Sequence, residues 1–317
     1  MAPPAGILEE RTFEQVSLGS ASLWREKSQR MTVVLRNYQG PGDLSLQHTF
    51  WLQATHDLPW CWKPTVSPEL YSVSPQFNPR SRCFAFDDDL LVGYMSFTGQ
   101  GGFVSLGYPW VLPGYEGELQ ESLYDEVHGF AASSEYGGKI FAQRFRRQWT
   151  TQISFFTRHG FTEHRSEPIY ALDLRSGWKP HVPTRFRIEL LQVFKWEEFS
   201  ELAEIRCPVG QLRMSEIYFR SVNFDFAVKA TQQGRPTAYL GFTIRSDTGF
   251  AELIAVAVDE EAVSVLDPCL AAAVEELRFR SAFFLGTKTL PMSKASQNMM
   301  RMGFMKVSDE LMFSKSI

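Results

Sequence analysis

The sequence predicts an α/β protein with mixed sheets, arranged as two tandem domains. The pattern of strands and helices occurs twice along the chain, in the same order each time. Gly160-Phe161 and Gly303-Phe304 lie 143 residues apart, and each pair ends a predicted helix that follows a short apolar strand. Gly93-Tyr94 and Gly241-Phe242 lie 148 residues apart in matching predicted hairpins. A repeat of this length indicates a duplicated domain.

The predicted domain boundaries follow from where this order begins and breaks. Residues 1–30 are polar and weakly patterned, which predicts an N-terminal arm. Residues 31–174 form the first predicted domain and residues 186–317 the second. Residues 175–185 between them contain two prolines and a glycine, which is typical of a linker. With 317 residues in total, each domain can bury its own core.

The composition is that of a globular protein, with 44% hydrophobic and 21% charged residues. The net charge of −4 gives no support to a nucleic-acid partner, and no apolar run approaches the ~20 residues that span a bilayer. The N-terminus lacks a signal-peptide pattern, so we expect a cytoplasmic protein without membrane contact. The four cysteines show no metal-ligand spacing, and we expect reduced thiols and no metal site: Cys61, Cys83, Cys207 and Cys269.

Local patterns define the elements of each half. In the first half, apolar or alternating runs predict strands at 31–38, 82–87, 90–98, 103–111, 139–144 and 167–174. Helices are predicted at 21–30, at 43–55 with Asp43 as the cap, from 67, through 119–127 and at 149–159. In the second half, strands are predicted at 186–192, 224–230, 237–244, 250–258, 282–286 and 310–314, and helices at 195–206, 263–280 and 293–302.

The stretch 103–127 holds the feature most relevant to function. Gly107-Tyr108-Pro109 interrupts an apolar strand, and because proline donates no backbone hydrogen bond, we expect a bulge or splay there. Pro113-Gly114 then makes a turn into a helix. Backbone amides at a helix N-terminus after such a turn can bind an anion, although many such units bind nothing.

In this order of elements each half resembles the GNAT superfamily of acyl-CoA-dependent N-acetyltransferases. The resemblance covers 31–174 and 186–317 and is most specific at the two Gly-Phe pairs and at Ala-Val-x-Val-Asp-Glu, residues 255–260. It implies that the splayed strand receives the pantetheine amides of acetyl-CoA or another acyl-CoA, and that the following helix N-terminus receives the pyrophosphate. The cofactor-binding residues it implies in the first half are Tyr108, Trp110, Val111, Gly114 and Gly117, with amides of 107–111 polarising the thioester carbonyl.

The sequence departs from the family pattern at the pyrophosphate loop. Residues 115–121 keep one glycine, lack the basic residue and carry three acids, and residues 262–268 have no glycine. The tyrosine that the family commonly offers as general acid is replaced by Phe156 and Met299. We therefore expect a thioester ligand in the first half and no CoA in the second.

Charged residues supply two further candidates. Arg144, Arg146 and Arg147 fall between a predicted strand and helix, where they could bind CoA phosphates in place of the missing basic residue. A solvated charge run is the alternative. Glu252 begins the central strand of the second half and is a weak candidate for the general base, with a solvent-facing glutamate as the alternative.

Aromatic residues cluster near the opening helices of the first half. Trp51, His56, Trp60 and Trp62 could line an acceptor pocket for an apolar or planar substrate, or they could pack between helices and sheet.

The resemblance implies an acyltransferase that moves an acyl group from a pantetheine or phosphopantetheine thioester to a small-molecule amine. One alternative is an enzyme of the same fold that acts on malonyl thioesters, or on thioesters of an acyl carrier protein, in natural-product biosynthesis. The other alternative is a non-catalytic binding module.

Overall fold

The computed structural model describes residues 7–13, 31–64, 77–100, 103–133, 139–177, 185–204, 216, 218–220, 222–288, 297 and 299–317. The helices predicted at 21–30 and from 67 lie outside these residues. The described strands of the first half are β1 (Ile7–Phe13), β2 (Met31–Asn37), β3 (Arg82–Asp87), β4 (Leu90–Gln100), β5 (Phe103–Leu106), β6 (Trp110–Val111), β7 (Ile140–Arg146) and β8 (Thr162–Asp173). Its helices are α1 (Pro41–Ala54), α2 (Glu118–Ser133) and α3 (Thr150–Arg158).

The second half repeats this order. Its strands are β9 (Arg187–Leu191), β10 (Phe226–Gln232), β11 (Arg235–Arg245), β12 (Phe250–Val258), β13 (Phe284–Lys288) and β14 (Met305–Ser316). Its α-helices with described bounds are α4 (Trp196–Glu204) and α5 (Leu266–Phe279), and a 3-10 segment (Glu260–Val265) precedes α5. Among the described residues, no helix is long and apolar enough to cross a membrane.

The two halves share one 14-stranded sheet because they exchange their last strands. The strand order is β1-β2-β3-β4-β5-β7-β14-β8-β13-β12-β11-β10-β9, and β6 pairs with β4. β14 of the second half lies between β7 and β8, and β8 of the first half lies between β14 and β13. Read inward from β2, the order of strands therefore matches the order read inward from β9. This internal symmetry agrees with the predicted fold class, a mixed α/β protein built from two tandem domains.

The cores reflect the same exchange. Leu311 and Phe313 on β14 belong to the buried apolar cluster of the first half. Leu172 on β8 and Leu174 just after it belong to the main cluster of the second. Each half thus completes its core with a strand contributed by the other.

Both predicted glycine caps are confirmed. Gly160 and Gly303 have φ of 81° and 94°, a conformation that side chains disfavour. The amide of Phe161 donates to the carbonyl of Phe156, and that of Phe304 donates to Met299. These bonds close a Schellman-type helix end at corresponding places in the two halves.

Other predictions need correction. Helix α1 begins at Pro41, and Asp43 lies in its first turn instead of capping it, where its carboxylate accepts bonds from Arg36 and from the amide of Gln39. The described part of the predicted N-terminal arm, residues 7–13, pairs with β2 as an edge strand. The closing strands β8 and β14 are longer than predicted because each pairs on both sides.

Candidate functional site

A β-bulge and a splay create the site in the first half. Phe97 of β4 pairs with Leu106 of β5, and Tyr94 pairs with Trp110 of β6, so that residues 95 and 96 face residues 107–109. The extra residue is the bulge that Gly107-Tyr108-Pro109 predicted. Pairing between β5 and β7 ends at Ser105 and Ala142. Beyond that point, β6 and β7 diverge.

A cavity of about 210 Å³ opens where these strands diverge. Its lining residues come from α1 and the segment after it, from β4, from the bulge and β6, and from β7 and the start of α3. They are Leu44, Gln47, His48, Trp51, Trp62, Pro64, Tyr94, Ser96, Gly107, Tyr108, Trp110, Gln143, Arg144, Phe145 and Trp149. The rings of Trp62 and Trp149 are stacked at 5.0 Å, and Tyr108 contacts Trp110 at 4.7 Å. Aromatic side chains are therefore the largest group in the lining of the cavity.

The structure brings five of the predicted site residues together in this cavity: Trp51, Trp62, Tyr108, Trp110 and Arg144. Sequence reasoning missed Gln47 and His48. Together with Leu44 and Trp51 they have the spacing i, i+3, i+4 and i+7 on α1, which places them on one helix face. That spacing is a signal that could have found them.

The predicted pyrophosphate loop is closed by its own side chains. Gly114 and Gly117 both have positive φ, 92° and 85°, as a glycine turn requires. The amide of Gly114 donates to Glu116 Oε2 at 2.7 Å, and the amide of Gly117 donates to Gln120 Oε1 at 3.3 Å. A carboxylate thus takes the place that a phosphate oxygen would need. In this conformation the loop does not fit a diphosphate.

Two of the amides expected to polarise a thioester carbonyl are also engaged. Gly107 donates to the carbonyl of Ser96 at 2.7 Å, and Trp110 donates to that of Tyr108 at 3.0 Å. Gly107 is required here because a Cβ would lie 2.6 Å from the Ser96 oxygen. Val111 pairs with Gly93 of β4. The bulge therefore shapes the cavity, and its Gly107 and Trp110 amides stay within the fold.

Arg146 does not have the role expected from the sequence. It lies on β7, not between strand and helix, and its side chain is fully buried. Its Nη2 lies 2.5 Å from Glu252 Oε1 and its Nη1 lies 3.1 Å from Glu310 Oε2, while Nε donates to the carbonyl of Trp60. A buried guanidinium with these partners cannot reach a phosphate in solvent.

Glu252 is buried in this cluster and does not face solvent. Burial raises the pKa of its carboxyl, although Arg146 and Lys288 act in the opposite direction. Burial also opposes ionisation of Glu310, but Lys288, Arg146 and Arg144 outweigh it, so the pKa of Glu310 is lowered. Glu252 is not among the residues that line the cavity.

The remaining predicted residues lie apart from the cavity. Arg147 is exposed and pairs with Asp309 at 2.9 Å. His56 is exposed and pairs with Asp57. Trp60 has φ of 57° and packs edge-on against Phe250 and Phe284 of the second half, at 5.8 and 5.2 Å. Trp60 therefore packs between the two halves.

The second half has a bulge but no matching loop. Gly241 pairs with Ala255 and Phe242 with Leu253, so Ile254 is the extra residue of β12. A 3-10 segment, Glu260–Val265, occupies the place of the glycine loop before α5, and Pro268 lies in the first turn of that helix. The absence of CoA from this half stays a prediction.

The comparisons with known proteins find a structural likeness. No protein-family model matches the sequence, and no curated protein does. The structure is similar to a tandem GNAT protein from the clavulanic acid biosynthesis pathway, with a TM-score of 0.63, 14% identity, and 90% of this chain and 98% of that chain covered. It is also similar to a GCN5-related N-acetyltransferase from Sphaerobacter thermophilus, with a TM-score of 0.52, 13% identity, and coverage of 90% and 95%.

These likenesses and the strand order define the class of the protein by its fold. The chain has the tandem GNAT fold. This is the architecture that the sequence predicted.

Proposed function

We propose that the protein is an acyltransferase that moves an acyl group from a pantetheine thioester to a small-molecule amine, and that its first half holds the thioester. The observation that carries this proposal is the aromatic cavity at the splay of β6 and β7. An apolar slot with a few polar groups suits a pantetheine arm and an acyl chain. When bound, the thioester supplies the activated acyl carbon.

The cavity also offers a proton acceptor. His48 lies on its wall, and an imidazole can take a proton from an ammonium group near neutral pH. We propose His48 for this role in place of Glu252, which contacts Arg146 instead of the cavity. In His48→Gln, the acid limb of the pH–rate profile should be lost, while thioester binding is retained.

The closed loop favours one form of donor. Because Glu116 and Gln120 hold the loop amides, the cavity can take the pantetheine arm more readily than the loop can take a diphosphate. A phosphopantetheine arm on an acyl carrier protein presents no diphosphate at this position. We therefore propose carrier-borne thioesters as the second candidate donor, beside acetyl-CoA or another acyl-CoA.

Thermal unfolding with added ligand tests the proposal. Acetyl-CoA, acetyl-pantetheine and an acetylated carrier protein are compared, since a ligand at 100 times its Kd adds about 2.7 kcal/mol of stability. Gln47→Trp fills the cavity from α1 and should abolish the shift. Gln53→Trp, on the exposed side of the same helix, is the matched control and should retain it. If no thioester stabilises the parent, the proposed function is contradicted and the non-catalytic alternative is favoured.

A further inference from the structure

The cavity in the first half is aromatic with one permanent charge. Seven Phe, Tyr and Trp side chains line it: Trp51, Trp62, Tyr94, Tyr108, Trp110, Phe145 and Trp149. Among the described residues of its lining, Arg144 alone is a lysine, arginine, aspartate or glutamate. The Arg144 side chain is 56% exposed. Any ligand in the cavity therefore meets a cation against an apolar wall.

The charges behind Arg144 do not neutralise it. Glu310 Oε1 lies 3.5 Å from Arg144 Nη1, and the same carboxylate also binds Arg146 and Lys288. Glu252 is the second carboxylate of the group, through its contact with Arg146. Three cations thus share two carboxyl groups.

Of the three cations, only Arg144 is among the described residues that line the cavity. Arg146 is fully buried, and Lys288 lies on β13 outside the described cavity lining, whereas Arg144 lines the cavity itself. Glu310 is 3.5 Å from Arg144 and also binds Arg146 and Lys288, so a ligand anion in the cavity can pair with the Arg144 guanidinium. The Arg144 guanidinium in the cavity lining therefore favours a negatively charged ligand.

We propose that the substrate of this cavity carries a carboxylate next to an apolar or aromatic body, and that Arg144 binds this carboxylate. This inference rests on the proposed function and names the substrate class of the same site. A guanidinium can bind a carboxylate through two parallel hydrogen bonds, which adds geometric selectivity. The aromatic wall packs against the rest of the molecule.

The carboxylate can come from either substrate. It can belong to the acyl group, as in a dicarboxylic half-thioester, or to the amine acceptor, as in an amino acid. Glu310 acts as a positioning residue in both cases, because it holds Arg144 from the strand that the second half contributes.

Two matched ligand pairs distinguish these sources by calorimetric titration. Malonyl-pantetheine is compared with acetoacetyl-pantetheine, in which a methyl ketone replaces the carboxylate. Phenylalanine is compared with phenylalaninamide. We expect the parent to bind the carboxylate member of one pair at least about tenfold more tightly, as a charge-assisted hydrogen bond provides.

Variants of two neighbouring arginines complete the test. Arg144→Gln should remove the preference, and Arg144→Lys should keep part of it. Arg147→Gln is the matched control, because Arg147 is 55% exposed and does not line the cavity, and it should leave the preference unchanged. The proposal is overturned if the parent shows no preference in either pair, if neither pair binds, or if Arg144→Gln keeps the preference. Acetyl-pantetheine binding, measured in parallel, reports on the proposed function separately.

Discussion

Arg146 and Glu252 form an ion pair at 2.5 Å although their strands, β7 and β12, are four steps apart in the sheet. Across a flat sheet four steps would span ~19 Å, farther than two side chains reach. The central strands therefore curve around this pair. Glu310, on the strand exchanged between the halves, binds the same guanidinium. A single buried cluster thus joins three parts of the fold.

The first prediction concerns Arg146 itself. Arg146→Ala should lower the free energy of unfolding by about 3–5 kcal/mol, because it leaves Glu252 and Glu310 buried without their shared cation. Denaturant titration measures this change. Arg147→Ala, one residue along and exposed, is the control and should cost no more than about 0.5 kcal/mol. Equal stability of the two variants would show that the buried pair is dispensable.

The two carboxyl groups of the cluster should respond to pH in opposite directions. Because the folded-state pKa of Glu310 is lowered, its contribution to stability is present above the unfolded pKa, about 4.3, and is lost as pH falls through the folded value. Because the folded-state pKa of Glu252 is raised, the folded protein gains stability as pH falls through that value toward about 4.3.

Stability profiles of Glu310→Gln and Glu252→Gln test this difference. Glu310→Gln should cost about 3–5 kcal/mol at pH 7, because Arg146 and Lys288 lose their shared carboxylate, and the cost should shrink below pH 4. At pH 7, Glu252→Gln should lower the free energy of unfolding by less than Glu310→Gln does. The loss caused by Glu252→Gln should grow as pH falls toward about 4.3. Parallel profiles for the two variants would be inconsistent with these environments.

The third prediction concerns the two glycine caps. Gly160→Ala and Gly303→Ala should each destabilise the protein by about 1–2 kcal/mol, because both positions have positive φ. Gly129→Ala, within α2 and with nothing near its added Cβ, should instead stabilise it by about 0.5–1 kcal/mol. Thermal unfolding distinguishes the two signs. A neutral effect at either cap would contradict the conformation described for it.

The order of elements was predictable because each half marks its elements locally. Gly160 and Gly303 end helices through their backbone freedom, and Gly107-Tyr108-Pro109 marks the bulge through a missing amide. These signals act over a few residues. The strand exchange has no such local signal. β8 and β14 are far apart in the sequence, and the residues of each alternate as they do in any strand.

The site was predictable only in part for the same reason. Tyr108 and Trp110 could be placed in the cavity because they lie in or next to the bulge, and Trp51 because it lies on the predicted opening helix. Arg144 and Arg146 have the same side-chain type two residues apart, and only the packing decides that one lines a cavity while the other is buried. The bonds of Glu116 and Gln120 to the loop amides likewise depend on a loop conformation that spacing does not specify.

The fourth prediction concerns the closed loop. Glu116→Ala removes the side chain that accepts from Gly114, so CoA thioesters should bind about tenfold more tightly while acyl-pantetheine binding stays the same. Isothermal calorimetry with both ligands measures the difference. Glu118→Ala is the control, because it removes the same charge from the first turn of α2. An equal gain in both variants would mean that net charge, and not the occupied amide, limits binding.

A crystal structure of the protein with an acyl-pantetheine thioester tests the central claim most directly. The account predicts that the pantetheine arm lies between β6 and β7 of the first half, beside Tyr108 and Trp110, with the acyl group toward Arg144 and His48. A thioester at the N-terminus of α5 in the second half would contradict the account, as would a ligand bound outside this cavity.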